Sequence, residues 1–257
     1  MGKIIAVTNQ KGGVGKTTTN VNLSACLAEA GKRVLTVDID PQGNTTSALG
    51  RKDMDTRTVY DLLCERFTAR ECIVQTDTPG LSLIPSGIEL AGAEIELVAV
   101  PEREQVLKRA LNVIAPIYDY IMIDCPPSLG LITLNALTAA ASVIVPIQCE
   151  YFALEGVGQL INTLNLVRKA LNPRLEVEGV VLTMLDGRTN LGIQVVNEVK
   201  RHFKNRVFGT IVPRNVRLSE APSFGMPIHQ YDPRSTGAIA YRELAAELIA
   251  RNEEEES

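Results

Sequence analysis

Seven short runs of β-rich apolar residues punctuate the chain: Ile4–Asn9, Val34–Asp40, Leu81–Pro85, Tyr120–Asp124, Ser142–Ile147, Val177–Met184 and Val207–Val212. Each is near-continuous rather than alternating, which is how strands buried on both faces of a parallel sheet read. Amphipathic stretches lie between them. Thr17–Ala30 is stopped by Gly31, Pro101–Val113 opens with proline at a first-turn position, and Glu155–Leu171 stops before Pro173. Leu191–Phe203 and Gly237–Ala250 complete the helical set, while Gly50–Pro79 is less regular and reads as a helical excursion. Strands alternating with helices of this length predict an α/β architecture, a doubly wound, mostly parallel sheet flanked by helices. No repeat or Pro/Ser-rich linker divides residues 1–257, so a single domain is expected, with the acidic tail 252–257 left without regular structure.

Composition adds limits. Hydrophobic residues make up 45% and charged residues 22%, enough for a packed core, and the net charge of −4 gives no global sign of a nucleic-acid partner. Five cysteines (Cys26, Cys64, Cys72, Cys125 and Cys149) contain no C-x-x-C pair, which argues against a disulfide framework and a zinc site and for small buried thiols in a reducing cytoplasm. The first apolar run begins at Ile4, so no signal peptide is expected, and Ala6 stands where a myristoylation motif needs Ser or Thr. No run is long enough to cross a membrane.

The chemistry is concentrated early. A strand, Ile4–Asn9, leads into the glycine-rich Gln10–Gly15, and a helix begins at Lys16. That order suits a phosphate site: glycines let consecutive N–H groups converge, and the helix N-terminus adds its positive end. Lys16 is placed to neutralise β- and γ-phosphates and the Thr17 hydroxyl to coordinate Mg²⁺. The pattern G-x-x-x-x-G-K-[ST] nevertheless fails, because Gln10 replaces its first glycine. In its place stands K-G-G-V-G-K-T-T, comprising Lys11, Gly12, Gly13, Val14, Gly15, Lys16, Thr17 and Thr18, with a second lysine at the front.

On these residues the chain resembles the deviant Walker A ATPases, the superfamily of ParA/Soj, MinD, the nitrogenase iron protein and the arsenite pump ATPase. The resemblance implies ATP and Mg²⁺ as cofactors and an ATP-dependent homodimer, with Lys11 reaching the partner subunit's phosphates and Gly12 at the interface. Asp124, in I-M-I-D-C-P-P-S, matches a Walker B aspartate holding Mg²⁺ through water. Asp40, in V-D-I-D-P-Q-G-N, matches a second acidic motif that positions or activates the attacking water. Both end strands at the edge where ligands bind in open α/β sheets, although either alone also reads as a cap or turn former. Asp38, two residues deeper on the same face, is the weaker candidate.

From Arg188 to Arg217 seven basic residues face one acid, Glu198. A solvated helix face explains this; so does a phosphate-backbone patch that binds duplex DNA without sequence preference. Lys200 and Lys204, four apart, share a face if the helix reaches that far. The segments Q-C-E-Y-F-A-L-E-G, L-T-M-L-D-G-R-T-N-L-G, V-P-R-N-V-R-L-S-E-A-P-S and Y-D-P-R-S are similar to the chromosomal ParA/Soj branch. That branch implies DNA contacts at Arg188 and Arg217, adenine contacts near Pro213 and Asn215, a ParB-type partition partner, and nucleoid association. A MinD-like regulator of division is the alternative, but it needs a basic amphipathic C-terminus, and R-N-E-E-E-E-S is one that anionic lipid repels. An iron–sulfur protein and a metabolic ligase or kinase share the fold. Cys125 and Cys149 read as packing residues, which speaks against a cluster.

Overall fold

A computed structural model of the chain describes residues 2–52, 55–150, 153–185 and 190–256. The first half runs β1 (Lys3–Val7), α1 (Lys16–Glu29), β2 (Val34–Asp38), α2 (Asn44–Ala48), α3 (Val59–Leu63), α4 (Ala69–Cys72), β3 (Val74–Gln75), β4 (Leu81–Ile84), α5 (Leu90–Glu96) and α6 (Val106–Ile114). Next come β5 (Tyr120–Asp124), α7 (Leu131–Ala139), β6 (Ser142–Gln148), α8 (Ala153–Ala170), β7 (Glu176–Thr183), α9 (Asn190–Phe203) and β8 (Val207–Val212). The chain closes with α10 (Val216–Glu220), α11 (Ile228–Tyr231) and α12 (Thr236–Glu256).

The strands form one eight-stranded sheet, ordered β3-β4-β2-β5-β1-β6-β7-β8, parallel except for β3 against β4. Successive side chains of a strand point to opposite faces, and here both faces are covered. Ile4 and Ala6 pack into one core with α6 and α7, while Ile5 and Val7 pack into the other with α1 and α12. The chain builds from β1 toward β5, β2 and β4, then returns to build β6, β7 and β8 on its other side. The segment after β1 therefore emerges where the winding reverses, and ligand crevices open there in sheets of this kind.

Three local expectations need correction. Pro101 does not start a helix: Glu102 has φ 52°, Arg103–Gln105 form a 3₁₀ turn, and α6 begins at Val106. Asn135 of α7 sets that start, accepting from the Leu107 N–H at 3.1 Å and donating to the Arg103 carbonyl at 2.8 Å. Helix α9 ends at Phe203 and Lys204 has φ 47°, so no continuous helical face joins Lys200 to Lys204. The acidic tail is helical through Glu256, anchored by buried Asn252, which accepts from the Lys3 ammonium of β1, and by a Lys32–Glu253 ion pair at 3.4 Å.

Candidate functional site

The loop between β1 and α1 is tied to the ends of its neighbouring strands. Asn9 donates to the Pro146 carbonyl of β6 at 2.8 Å and accepts from the Lys11 N–H at 3.0 Å. The Gln10 amide reaches Thr163 of α8 at 2.9 Å, which explains the missing first glycine: a side chain there anchors the loop outward. Further on, the Thr183 hydroxyl at the end of β7 donates to the Val14 carbonyl at 2.9 Å. Gly13 and Gly15 take φ values of 75° and 90°, the left-handed region that a side chain disfavours. Gly15 is the N-cap of α1, with no side-chain cap and no acid in the first turn, so orphan N–H groups of that helix end face the loop.

Lys16 is buried, and its ammonium donates back to the Lys11 carbonyl at 3.1 Å. Burial lowers its pKa, opposed by the charges of Asp124 and Asp40. Lys11 itself is half-buried. Gly12 is exposed, and a Cβ built on it meets nothing within 4 Å.

Three carboxylates gather at the carboxyl ends of β2 and β5. Asp38 and Asp124 are register partners on these adjacent strands. Asp38 is fully buried and committed: it accepts from the Thr46 N–H and hydroxyl, each at 2.8 Å, and from the Asp40 N–H at 3.2 Å. Its work is to fix the turn into α2. Asp40 stays nearer the surface, holding that turn through the Gln42 N–H at 3.0 Å. Asp124 accepts from Thr45 through Oδ2 at 2.8 Å, whereas its buried Oδ1 has no hydrogen-bond partner. Burial raises the Asp124 carboxyl well above its ordinary value, with the Asp38 charge adding to it and the Thr17 and Thr45 hydroxyls opposing. Burial also raises Asp38. An orphaned carboxylate oxygen beside the Thr17 hydroxyl, amid acids with one lysine, is a donor set that suits a hard divalent cation.

Beside the loop, a cavity of about 190 Å³ is lined by Gly15, Thr18, Pro213 and Asn215, which the sequence assigned to the nucleotide, by Thr183, Met184, Leu218, Ser219 and Pro222, which lie in the quoted family segments without an assigned role, and by Tyr241. These residues without an assigned role come from three separate segments, and nothing in the sequence shows that the segments converge. The Asn215 side chain is already engaged, capping α10 through the Arg217 N–H at 2.8 Å and donating to Thr236 at 2.7 Å. A larger cavity of about 460 Å³ lies between α4 and α6, and the loop contributes nothing to it.

The basic stretch is divided. Lys204 opens the 3₁₀ turn Lys204–Arg206 that leads into β8, at the end where the parallel strands begin, and Arg217 follows the other end of β8. Six residues of strand, roughly 20 Å, lie between those ends. Lys200 and Lys204 are exposed near the first end. Arg217 lies at the second, at the same end as the phosphate loop, while Arg188 lies outside the described residues. All five cysteines are free, and among the described residues no group of three or more His, Cys, Asp and Glu side chains is placed to hold a metal ion, so a cation beside Asp124 draws on the Thr17 hydroxyl and on its ligand rather than on a cage of carboxylates. No described helix is long and apolar enough to cross a membrane.

A glycine loop at the reversal point of a parallel sheet, an open helix end, a buried lysine and acidic strand ends define the P-loop class of nucleotide-binding proteins. Residues 2–177 match the family model described as AAA domain. The chain is 62% identical over 251 residues to the sporulation initiation inhibitor protein Soj of Bacillus subtilis, covering 97% of this chain and 99% of that one. It is 54% identical to the chromosome partitioning protein ParA of Myxococcus xanthus, covering 98% and 89%. Among solved structures, a cobyrinic acid a,c-diamide synthase from Mycobacterium smegmatis with bound ATP analog and magnesium superposes with a TM-score of 0.85 at 42% identity, covering 97% and 95%. The chain belongs to the Soj/ParA family of chromosome-partitioning ATPases.

Proposed function

We propose that ATP and Mg²⁺ close two copies of this chain into a sandwich, that the dimer binds duplex DNA without sequence preference, and that a ParB-type partner stimulates hydrolysis and release. The observation that carries the dimer is Gly12. Nothing in its own chain crowds a Cβ there, and the exposed, side-chain-free backbone leaves this point of the loop open to close approach by a second copy. Lys11, at the front of the loop, is then placed to reach the partner's phosphates as a trans-acting cation, the role an arginine finger fills elsewhere.

Within one subunit, the loop N–H groups and the open end of α1 bind the phosphates, and Lys16 exchanges the Lys11 carbonyl for phosphate oxygens. Thr17 and Asp124 would hold Mg²⁺, Asp124 through water; the unpartnered Asp124 Oδ1 supports this. Bound there, Mg²⁺ would neutralise phosphate charge. Asp40, less enclosed than Asp38 and less occupied by hydrogen bonds, orients the attacking water. The cavity beside Pro213 and Asn215 takes the base.

Arg217, Lys200, Lys204 and Arg188 supply phosphate contacts to DNA, and a dimer presents each of them twice, which raises avidity without new contacts. The chromosome-partitioning names of the relatives support this reading, and it places the protein on the nucleoid. The discriminating variant is Gly12→Val. It is expected to keep the wild-type melting temperature within about 2 °C and to bind ATP as a monomer, while losing the ATP-dependent dimer and DNA binding together. A Gly12→Val protein that still dimerises and binds DNA with ATP overturns the proposal.

A further inference from the structure

Helix α10 carries two sets of residues. Leu218 and Ser219 wall the cavity assigned to the base, whereas Arg217 is exposed and paired with carboxylates. Its Nη1 lies 2.8 Å from Glu220 Oε2, one turn along the same helix, and its Nε lies 3.6 Å from Asp232 Oδ2 beyond α11. The Tyr231 hydroxyl donates to the same Glu220 oxygen at 3.0 Å, and its ring stacks on Phe224 with centroids 5.0 Å apart. Glu220 is thus oriented from two sides onto the guanidinium.

A guanidinium recognises a carboxylate and a phosphate through the same forked N–H donors, so one excludes the other from those donors. We propose that Glu220 and Asp232 are intramolecular competitors of DNA for Arg217: a phosphate must displace them, and this exchange sets the DNA affinity of the assembled dimer. The proposal rests on the DNA-binding reading above. Exposed pairs are individually weak, so the clamp lowers affinity without abolishing it. Relieving one carboxylate is worth on the order of three-fold per protomer, or roughly ten-fold for a dimer that presents the site twice.

The test is fluorescence anisotropy with a labelled random-sequence duplex, using the full chain with ATP in an Asp40→Ala background that slows turnover. Glu220→Gln and, independently, Asp232→Asn are expected to tighten binding. Glu254→Gln makes the same change in net charge on the far end of α12 and is expected to do nothing. Combining Glu220→Gln with Arg217→Ala is expected to erase the gain. No gain from either carboxylate variant overturns the clamp, as does an equal gain from Glu254→Gln or a gain that survives without Arg217. If no variant binds DNA at all, the partitioning reading falls and the clamp with it, a result distinct from DNA binding that is indifferent to Glu220.

Discussion

Asp38 and Asp124 face each other on adjacent strands, fully buried, and both titrate above the ordinary carboxylate range, chiefly because burial penalises the charged form. The sign follows from proton counting. Between the ordinary and the raised values the folded chain holds protons that the unfolded chain has released, so stability falls as pH rises through that window. Asp124→Asn removes the ionisable partner and is expected to raise the melting temperature of the nucleotide-free protein by roughly 2–4 °C, about 1 kcal/mol. The same variant is expected to lose the extra thermal shift that Mg²⁺ gives over ATP alone. Calorimetry with and without Mg²⁺ reads both effects, and a destabilised nucleotide-free variant contradicts this account. Stability given up for ligand binding is a common feature of such sites.

At the scale of elements, Asn135 joins α7 to the start of α6 with hydrogen bonds to Leu107, Arg103 and Leu131, all within a fully buried residue. Asn135→Ala leaves two backbone groups without their partner and is expected to cost about 2 kcal/mol, roughly 4–8 °C by thermal melt, with ATP affinity unchanged. A neutral substitution contradicts the capping role. This pair also shows where the sequence fell silent. Helix α7 is buried over most of its surface, including Ile132, Asn135, Ala136 and Leu137, so it carries no amphipathic period to detect. The start of α6 is fixed by that distant asparagine rather than by Pro101. By contrast, β1, β2, β5 and β6 were legible because burial on both faces demands continuous Val and Ile. The loop was legible because phosphate chemistry demands its glycines and lysines in consecutive positions. The cavity beside it was only half legible: Pro213, Asn215 and Leu218 share one quoted segment and Thr183 lies in another, but their meeting with Tyr241 is a matter of tertiary packing. Nothing in the sequence shows that Asp38 is committed to Thr46, because that contact depends on how the turn into α2 folds back.

At the scale of the whole molecule, β8 separates Lys204 and Arg217 to opposite ends of the parallel strands, so on the DNA-binding reading they are expected to make independent contacts. Arg217→Ala and Lys204→Ala are each expected to weaken DNA binding and to reduce its salt slope by about one per protomer, with additive free energies in the double variant. Strong coupling between them, read from the same titrations, contradicts that separation. The central claim concerns when two chains come together. Gly12 lies open in one chain, Lys11 stands at the front of the loop, and Asp40 is the residue assigned to the attacking water. The most direct measurement is the mass in solution, by light scattering, of Asp40→Ala with ATP, with ADP and without nucleotide. A dimer with ATP and a monomer in the other two states is the predicted result; a mass indifferent to nucleotide contradicts it.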